Sequence, residues 1–392
     1  MAREGACLRY RLTCLTPLLV GDGRRLSPID YMVWKDQVNV LDQQRIFQLL
    51  AKGPRLENYL AQLKRAEKLE FASWGGFAQN FAGRRIPFEH PSCAVHWERA
   101  VGESVHIPTF ISGPAGPYLP GTAIKGALRT GMLYAGMKEG SLEPVAAQFA
   151  GERPPRRPAE VAEDNILGAL GASRLRLVSA SDSAPVPSSC LKVYLLRVAT
   201  LQAKGHDSFE LGWKLSPRGT VNARRPEEST PTFAEMASPG TVFEGRFRSN
   251  PFLSDPQVRR SLRWREPLTT ADIFAGANAY AARLLALHRE YAHRAGLSLL
   301  DQHLRQLEER LGLIADRRDA CLLSLGWGGG LLAKVAWLRT DDPTYREIIR
   351  QSPLYGRRIA PGLPFPKTRR VVFLENRPAT LPGWALLETF SG

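Results

Sequence analysis

Alternation of apolar and polar positions opens the chain. In CLRYRLTCLTPLLVGDG, Leu8, Tyr10, Leu12 and Cys14 share one side of a period-two pattern that breaks at Pro17, which predicts a strand entering a glycine-bordered loop. YMVWKDQVNVLDQQRIFQLLAKG predicts a short hairpin turning at Lys35 and Asp36, then a helix capped by Asp42 with Ile46, Leu49 and Leu50 inward. Further strands are predicted at SRLRLVSASDS, at SCLKVYLLRVATL and at GTVFEGRFRS. In the last of these Val242, Glu244, Arg246 and Arg248 alternate with Phe243 and Phe247. A polar excursion, KLSPRGTVNARRPEESTP, lies before it. From Thr270 to Leu311 the pattern turns helical, and Leu300, Leu304, Leu307 and Leu311 form a stripe at 4-3-4 spacing. That stripe is read as core, with a partner helix as the other reading. Strand, loop, hairpin and helix in this order predict an α+β fold.

The segment GERPPRRPAEVAEDN, 151–165, is rich in proline and mixed charge and reads as a linker or mobile loop. A chain of 392 residues suggests two domains, with three as the other reading. We therefore expect an N-terminal domain over 1–165 and a C-terminal one over 166–392. The second would carry a helical insertion at 270–318 and a glycine-rich loop at 326–334.

Charge changes the picture. The net formal charge is +15, and 42 arginines stand against 11 lysines. The cations are spread through apolar patterning rather than gathered in a tail, so they belong to folded surfaces suited to a polyanion. A planar guanidinium fits phosphates bidentately and stacks on bases, which favours nucleic acid, although a GC-rich genome gives the same bias. Five scattered cysteines argue against a disulfide framework and fit a reducing, cytoplasmic setting. No apolar run approaches the ~18 residues that span a bilayer, so no membrane partner is expected.

Two motifs carry candidate chemistry. In YLPGTAIKGALRTGML, Pro120-Gly121-Thr122 reads as a stop followed by a helix N-cap at Thr122. At about 100° per residue, Ile124, Ala127, Leu128 and Gly131 form a docking face, and Lys125 and Arg129 share another. A helix N-terminus with two cations on its first turns makes a seat for phosphate; a solvated basic face is the plain alternative. In LSLGWGGGLLAKV, Gly326, Gly328, Gly329 and Gly330 lie between a helix and another apolar segment, with Lys334 beyond. Glycines let backbone amides approach phosphate oxygens, but neither established nucleotide-binding spacing is met. A tight packed turn is the other reading.

Little else points to catalysis or metal. His90, Cys93 and His96 have ligand-like spacing with His106 nearby, a weak zinc signal without a second pair. His288, His293 and His303 sit on the helical region and read as surface or core histidines. Asp30, in the first glycine-bordered loop beside Arg24 and Arg25, is the one carboxylate placed as a catalytic group would be.

Taken together, LTPLLVGDGRRLSPIDYMVWKDQVNVLD, YLPGTAIKGALRTGML, RLVSASDS, GWGGGLLAKV and PFPKTRRVVFLENRPATLPGWALLE resemble the RAMP superfamily of CRISPR proteins. Within it the pattern is similar to the terminal backbone subunit of the type III-A Csm effector complex. The resemblance implies two ferredoxin-like (RRM-like) RAMP domains with helical and loop insertions. It implies a non-catalytic, crRNA-binding subunit without a cofactor. Such a subunit caps the filament at the 3′ side of the guide and supports crRNA maturation. The implied partners are crRNA, the repeated backbone RAMP subunit, the small subunit, target RNA in the assembled complex, and host ribonucleases that trim the 3′ end.

Residue by residue, the resemblance assigns RNA binding to Gly121, Thr122, Lys125, Gly126 and Arg129 at the helix entry, and to Gly326, Gly328, Gly330 and Lys334 in the glycine-rich loop. Gly329 of the same loop, Lys367, Arg369 and Arg370 of the PKTRR segment, and Arg24 and Arg25 complete the expected RNA-binding set. The proline-rich loop and the third consecutive glycine, Gly330, depart from the family pattern, and RRM-type stacking aromatics are not evident. Two other functions stay open: a RAMP endoribonuclease acting on repeat or target RNA through a histidine near the glycine-rich loop or through Asp30, and a structural adaptor for acidic protein partners.

Overall fold

The computed structural model describes residues 7–51, 53, 55–65, 68–69, 80–149, 156–205, 208–216, 219, 221–264, 268–353, 355–356, 359 and 362–391. Two large antiparallel sheets organise them. The first runs in the spatial order Ala320–Ser324, Trp384–Ser391, Cys7–Cys14, Val242–Ser249, Val178–Ala180. The second runs Asn222–Ala223, Ser208–Lys214, Leu191–Gly205, Thr368–Leu374, Arg377–Thr380, with Thr232–Ala237 also paired to Leu191–Gly205. The opening strand, Cys7–Cys14, is the middle strand of the first sheet, so that sheet joins residues from both sides of position 165. The chain is α+β, as its patterning predicts.

Period two explains why these strands bury one face. Tyr10, Leu12 and Cys14 are buried together with Phe243, Phe247 and Leu387 of the flanking strands. The long helix Thr270–Arg294 covers both sheets. It opens on a capping box between Thr269 and Asp272, which satisfies first-turn amides. Ile273, Phe274 and Ala277 near its start join the core under the first sheet. Tyr280, Leu284 and Tyr291 further along join the core under the second. The leucine stripe belongs to the helix Ser298–Leu313, where Leu300, Leu304 and Leu307 are buried in that second core. Each contributes about 1.5–3 kcal/mol by leaving water, so the stripe is core.

Several local expectations change. The hairpin turns at Lys35 and Asp36, both with positive φ, and Asp42 caps the helix Gln43–Leu50 by accepting the Arg45 amide at 3.0 Å. Leu49 on that helix is 55% exposed rather than inward, because only Ile46 and Leu50 fall on its docked side. Residues 151–155 of the proline-rich segment lie outside the described residues. Its second half is no linker: Glu160–Leu167 is a helix that buries Ala162 and Leu167. The glycine-rich loop follows a strand, Ala320–Ser324, not a helix.

Candidate nucleic-acid interface

Three chain-distant segments meet at one cleft of about 750 Å3. They are the loop after the opening strand, the helix Gly121–Gly136, and the glycine-rich loop. Backbone hydrogen bonds tie the first loop to the glycine-rich loop and to the stretch of chain that leads into the helix. The Trp327 amide donates to the Leu19 carbonyl at 2.7 Å, and the Ile111 amide donates to the Val20 carbonyl at 2.9 Å. Gly326 makes the first junction possible. Its φ is +79°, and a Cβ there would lie 2.4 Å from the Leu19 carbonyl oxygen, so no side chain fits.

The helix entry is built differently from its sequence reading. The cap is Pro120, and Thr122 makes no capping bond. The Asp182 carboxylate instead accepts the Gly121 amide at 2.9 Å. A negative charge therefore already occupies the N-terminal anion seat. Gly121 is buried, and a Cβ on it would fall 2.1 Å from the Ala180 carbonyl oxygen. Its job is close approach of the helix to the first sheet.

The helix side turned to the cleft carries Thr122, Ala123, Gly126, Ala127 and Thr130. Ile124 and Leu128 are fully buried, and Ala127, expected to dock with them, packs partly against the same core while its other side lines the cleft. Small residues at 122, 126 and 130 recur every turn, a signal present in the sequence but passed over for its charges.

The predicted cations divide. Arg24 and Arg25 stand at the cleft, with Arg24 against Asp22 at 3.3 Å and Arg25 against Glu103 at 2.7 Å. These pairs are largely exposed, and phosphate competes well with such carboxylates. Lys334 reaches back to donate to the Gly326 carbonyl at 2.9 Å. Desolvation lowers its pKa, and no carboxylate neutralises it among the described residues. Gly326 and Gly328 line the cleft beside it.

Arg129 is not on a free basic face, since it forms an ion pair with Glu163 of the helix Glu160–Leu167. Lys125, one turn earlier, is half-buried beside the cleft-lining face.

Arg369 and Arg370 separate because neighbours on a strand point to opposite faces. Arg370 stacks on the Trp327 ring at 4.2 Å, behind the cleft wall. Arg369 is buried on the other side, donating to His288 Nδ1 at 2.9 Å and lying over the Tyr291 ring at 4.5 Å. It does not face the cleft. The Lys367 carbonyl accepts the Leu201 amide at 2.9 Å, within the second sheet rather than at the cleft. Gly329 and Gly330 belong to the same loop as Gly328, with Gly330 exposed at φ +74°.

Asp30 does not pair with Arg24 or Arg25. Its carboxylate accepts the Ser27 amide at 2.7 Å, the Ser27 hydroxyl at 2.6 Å and the Gln43 amide at 3.1 Å, which closes a local turn. The histidines are similarly occupied. His90 Nδ1 meets Ser92 Oγ at 2.9 Å, while His96 bridges Asn376 at 2.8 Å and Arg197 at 3.3 Å. Burial lowers the His96 pKa, so its ring is neutral and can accept from Arg197.

Among the described residues no helix is long and apolar enough to cross a membrane. The cleft thus presents small side chains, backbone groups and the cations Arg24, Arg25 and Lys334. Such a surface suits a sugar-phosphate backbone.

The RAMP superfamily profile matches residues 11–333. A curated relative, "CRISPR system Cms protein Csm5" of Methanocaldococcus jannaschii, is 21% identical over 148 residues, 34% of this chain and 32% of the relative. The chain thus matches about a third of that relative's length. A chain in the cryo-EM structure of a Csm-crRNA-target RNA ternary complex of a type III-A CRISPR-Cas system superposes with a TM-score of 0.68 at 20% identity, covering 97% of this chain and 100% of that one. The crystal structure of T. onnurineus Csm5 gives 0.63 at 17% identity, covering 96% and 99%. The fold is shared with both.

Proposed function

The chain belongs to the RAMP superfamily, and from that premise we propose that it is a non-catalytic, RNA-binding subunit of a type III-A CRISPR Csm complex. The observation that carries this reading is the cleft. Arg24, Arg25 and Lys334 surround a floor of glycine and threonine where three segments meet. A guide-binding surface must accept any spacer sequence, and contacts to phosphates carry no sequence information. In this reading the subunit caps the backbone filament at the 3′ side of crRNA in the cytoplasm. It contacts the repeated backbone RAMP subunit and the small subunit, meets target RNA in the assembled complex, and supports maturation by host ribonucleases.

The test is RNA affinity as a function of salt for two unrelated single strands. Counterion release makes both affinities fall steeply and in parallel, and the two agree within a few-fold. A preference of roughly a thousandfold for one sequence, the size of a specific readout, overturns the reading.

A further inference from the structure

A second cavity, of about 780 Å3, lies against the helix Thr270–Arg294 and the segment 362–366; it shares no lining residue with the cleft, and Leu332 on its wall directly precedes Ala333 and Lys334 of the cleft. Its size falls within the range of small-molecule sites, about 300–1,000 Å3. Arg283, Arg294, Arg346 and Arg369 reach it against two carboxylates, Glu290 and Asp341. Glu290 is already taken by Arg294, and Arg283 has no ion-pair partner among the described residues.

One buried group gives the cavity its chemistry. Arg369 is 8% exposed. Its Nε donates to His288, and one terminal nitrogen donates to the carbonyls of Pro366 and Thr368 at 2.8 and 2.9 Å. Its other terminal nitrogen, Nη2, has no acceptor among the described residues. Burial depresses the His288 pKa, so the ring is neutral and leaves the guanidinium charge without a bonded counterion. Tyr291, 3% exposed, lines the cavity with its ring, and its hydroxyl is enclosed behind the wall. A buried guanidinium nitrogen with no bonded acceptor is costly unless an anion with acceptor oxygens completes it. A bare phosphate is too small for the space, and Phe209 and Phe365 supply aromatic surface beside the arginines.

We propose that this cavity binds a nucleoside monophosphate, free or as the 5′-phosphorylated end of a strand, with the phosphate held by the arginines and the base against the aromatic wall. The site is separate from the cleft, so failure of RNA binding at the cleft leaves this inference standing and the converse also holds.

Isothermal titration of the full chain at low salt, with AMP, adenosine and inorganic phosphate in turn, tests it. AMP binds at least tenfold more tightly than either fragment. Arg369 is buried and its replacement risks the fold, so the variants are Arg283→Ala and Arg346→Ala. Each weakens AMP roughly fivefold, as expected for loss of one good hydrogen bond or charge contact, while melting temperature and RNA affinity stay at the parental values. A 5′-phosphorylated diadenylate that displaces AMP assigns a strand end; one that does not assigns a free nucleotide. AMP binding no tighter than phosphate, or undiminished in both natively melting variants, overturns the proposal.

Discussion

The Trp327 amide donates to the Leu19 carbonyl at 2.7 Å across more than three hundred residues of chain. This bond docks the glycine-rich loop on the loop that follows the opening strand and makes one cleft of two distant segments. Gly326, directly before Trp327, permits it.

Replacing Gly326 by alanine sets a Cβ against the Leu19 carbonyl in a backbone conformation that disfavours side chains. The expected cost is about 2–3 kcal/mol, with RNA affinity falling at least several-fold as the loop shifts. Gly330→Ala serves as the comparison, since its φ is also positive but nothing lies within 4 Å of the added atom. It costs about 1 kcal/mol and leaves binding near parental. Denaturant melts and RNA titrations of the two variants check this; equal effects would show that loop docking is irrelevant.

Lys125 and Arg129 behave differently despite their helical spacing. Arg129→Ala breaks the partly exposed pair with Glu163, which solvent screening limits to at most about 1 kcal/mol, and leaves RNA affinity unchanged. Lys125→Ala and Lys334→Ala each weaken RNA binding and lower the salt slope by about one unit. Affinity measured at several salt concentrations separates them, and an Arg129 variant that binds as weakly as the lysine variants contradicts the assignment.

Asp30→Ala lowers stability by about 1 kcal/mol, because the Ser27 amide and hydroxyl and the Gln43 side chain lose their acceptor. In a reconstituted complex the variant supports guide maturation and target cleavage like the parent. Disappearance of one cut position in the target would make Asp30 catalytic and the subunit a nuclease.

Stability depends on pH through His288. Burial and the neighbouring Arg369 hold its imidazole well below the ordinary histidine value of about 6.5, so the unfolded chain binds a proton in mild acid that the native chain refuses. The stabilisation is fully present above pH ~6.5 and falls by about 1.4 kcal/mol per pH unit below it, until the folded pKa is reached. His96, shifted the same way, adds to the slope. His288→Gln keeps an acceptor for Arg369 without a titrating ring, and urea melts between pH 7 and 5 show a shallower decline than the parent. Parallel declines would remove His288 from the account.

What the sequence showed directly was periodic. The alternation through Tyr10, Leu12 and Cys14, the Lys35-Asp36 turn, the Asp42 cap and the leucine stripe all stand in the structure, because each follows from local geometry within a few residues. Membership in a family with helix-entry and glycine-loop motifs was also legible, since those motifs are contiguous.

The sequence did not fix which cations are available. Arg129 and Lys125 look equivalent along the helix, and only the return of Glu163 from another helix neutralises one of them. Arg369 and Arg370 are adjacent letters, yet strand alternation sends the first into a core beside His288 and the second onto Trp327. Gly121 reads as part of an anion seat until Asp182 and the Ala180 carbonyl arrive from the first sheet. Local periodicity sets which face a residue occupies, and the sequence determined that much. The charge, exposure and neighbours of that face come from segments far away in the chain, so only tertiary packing decided them.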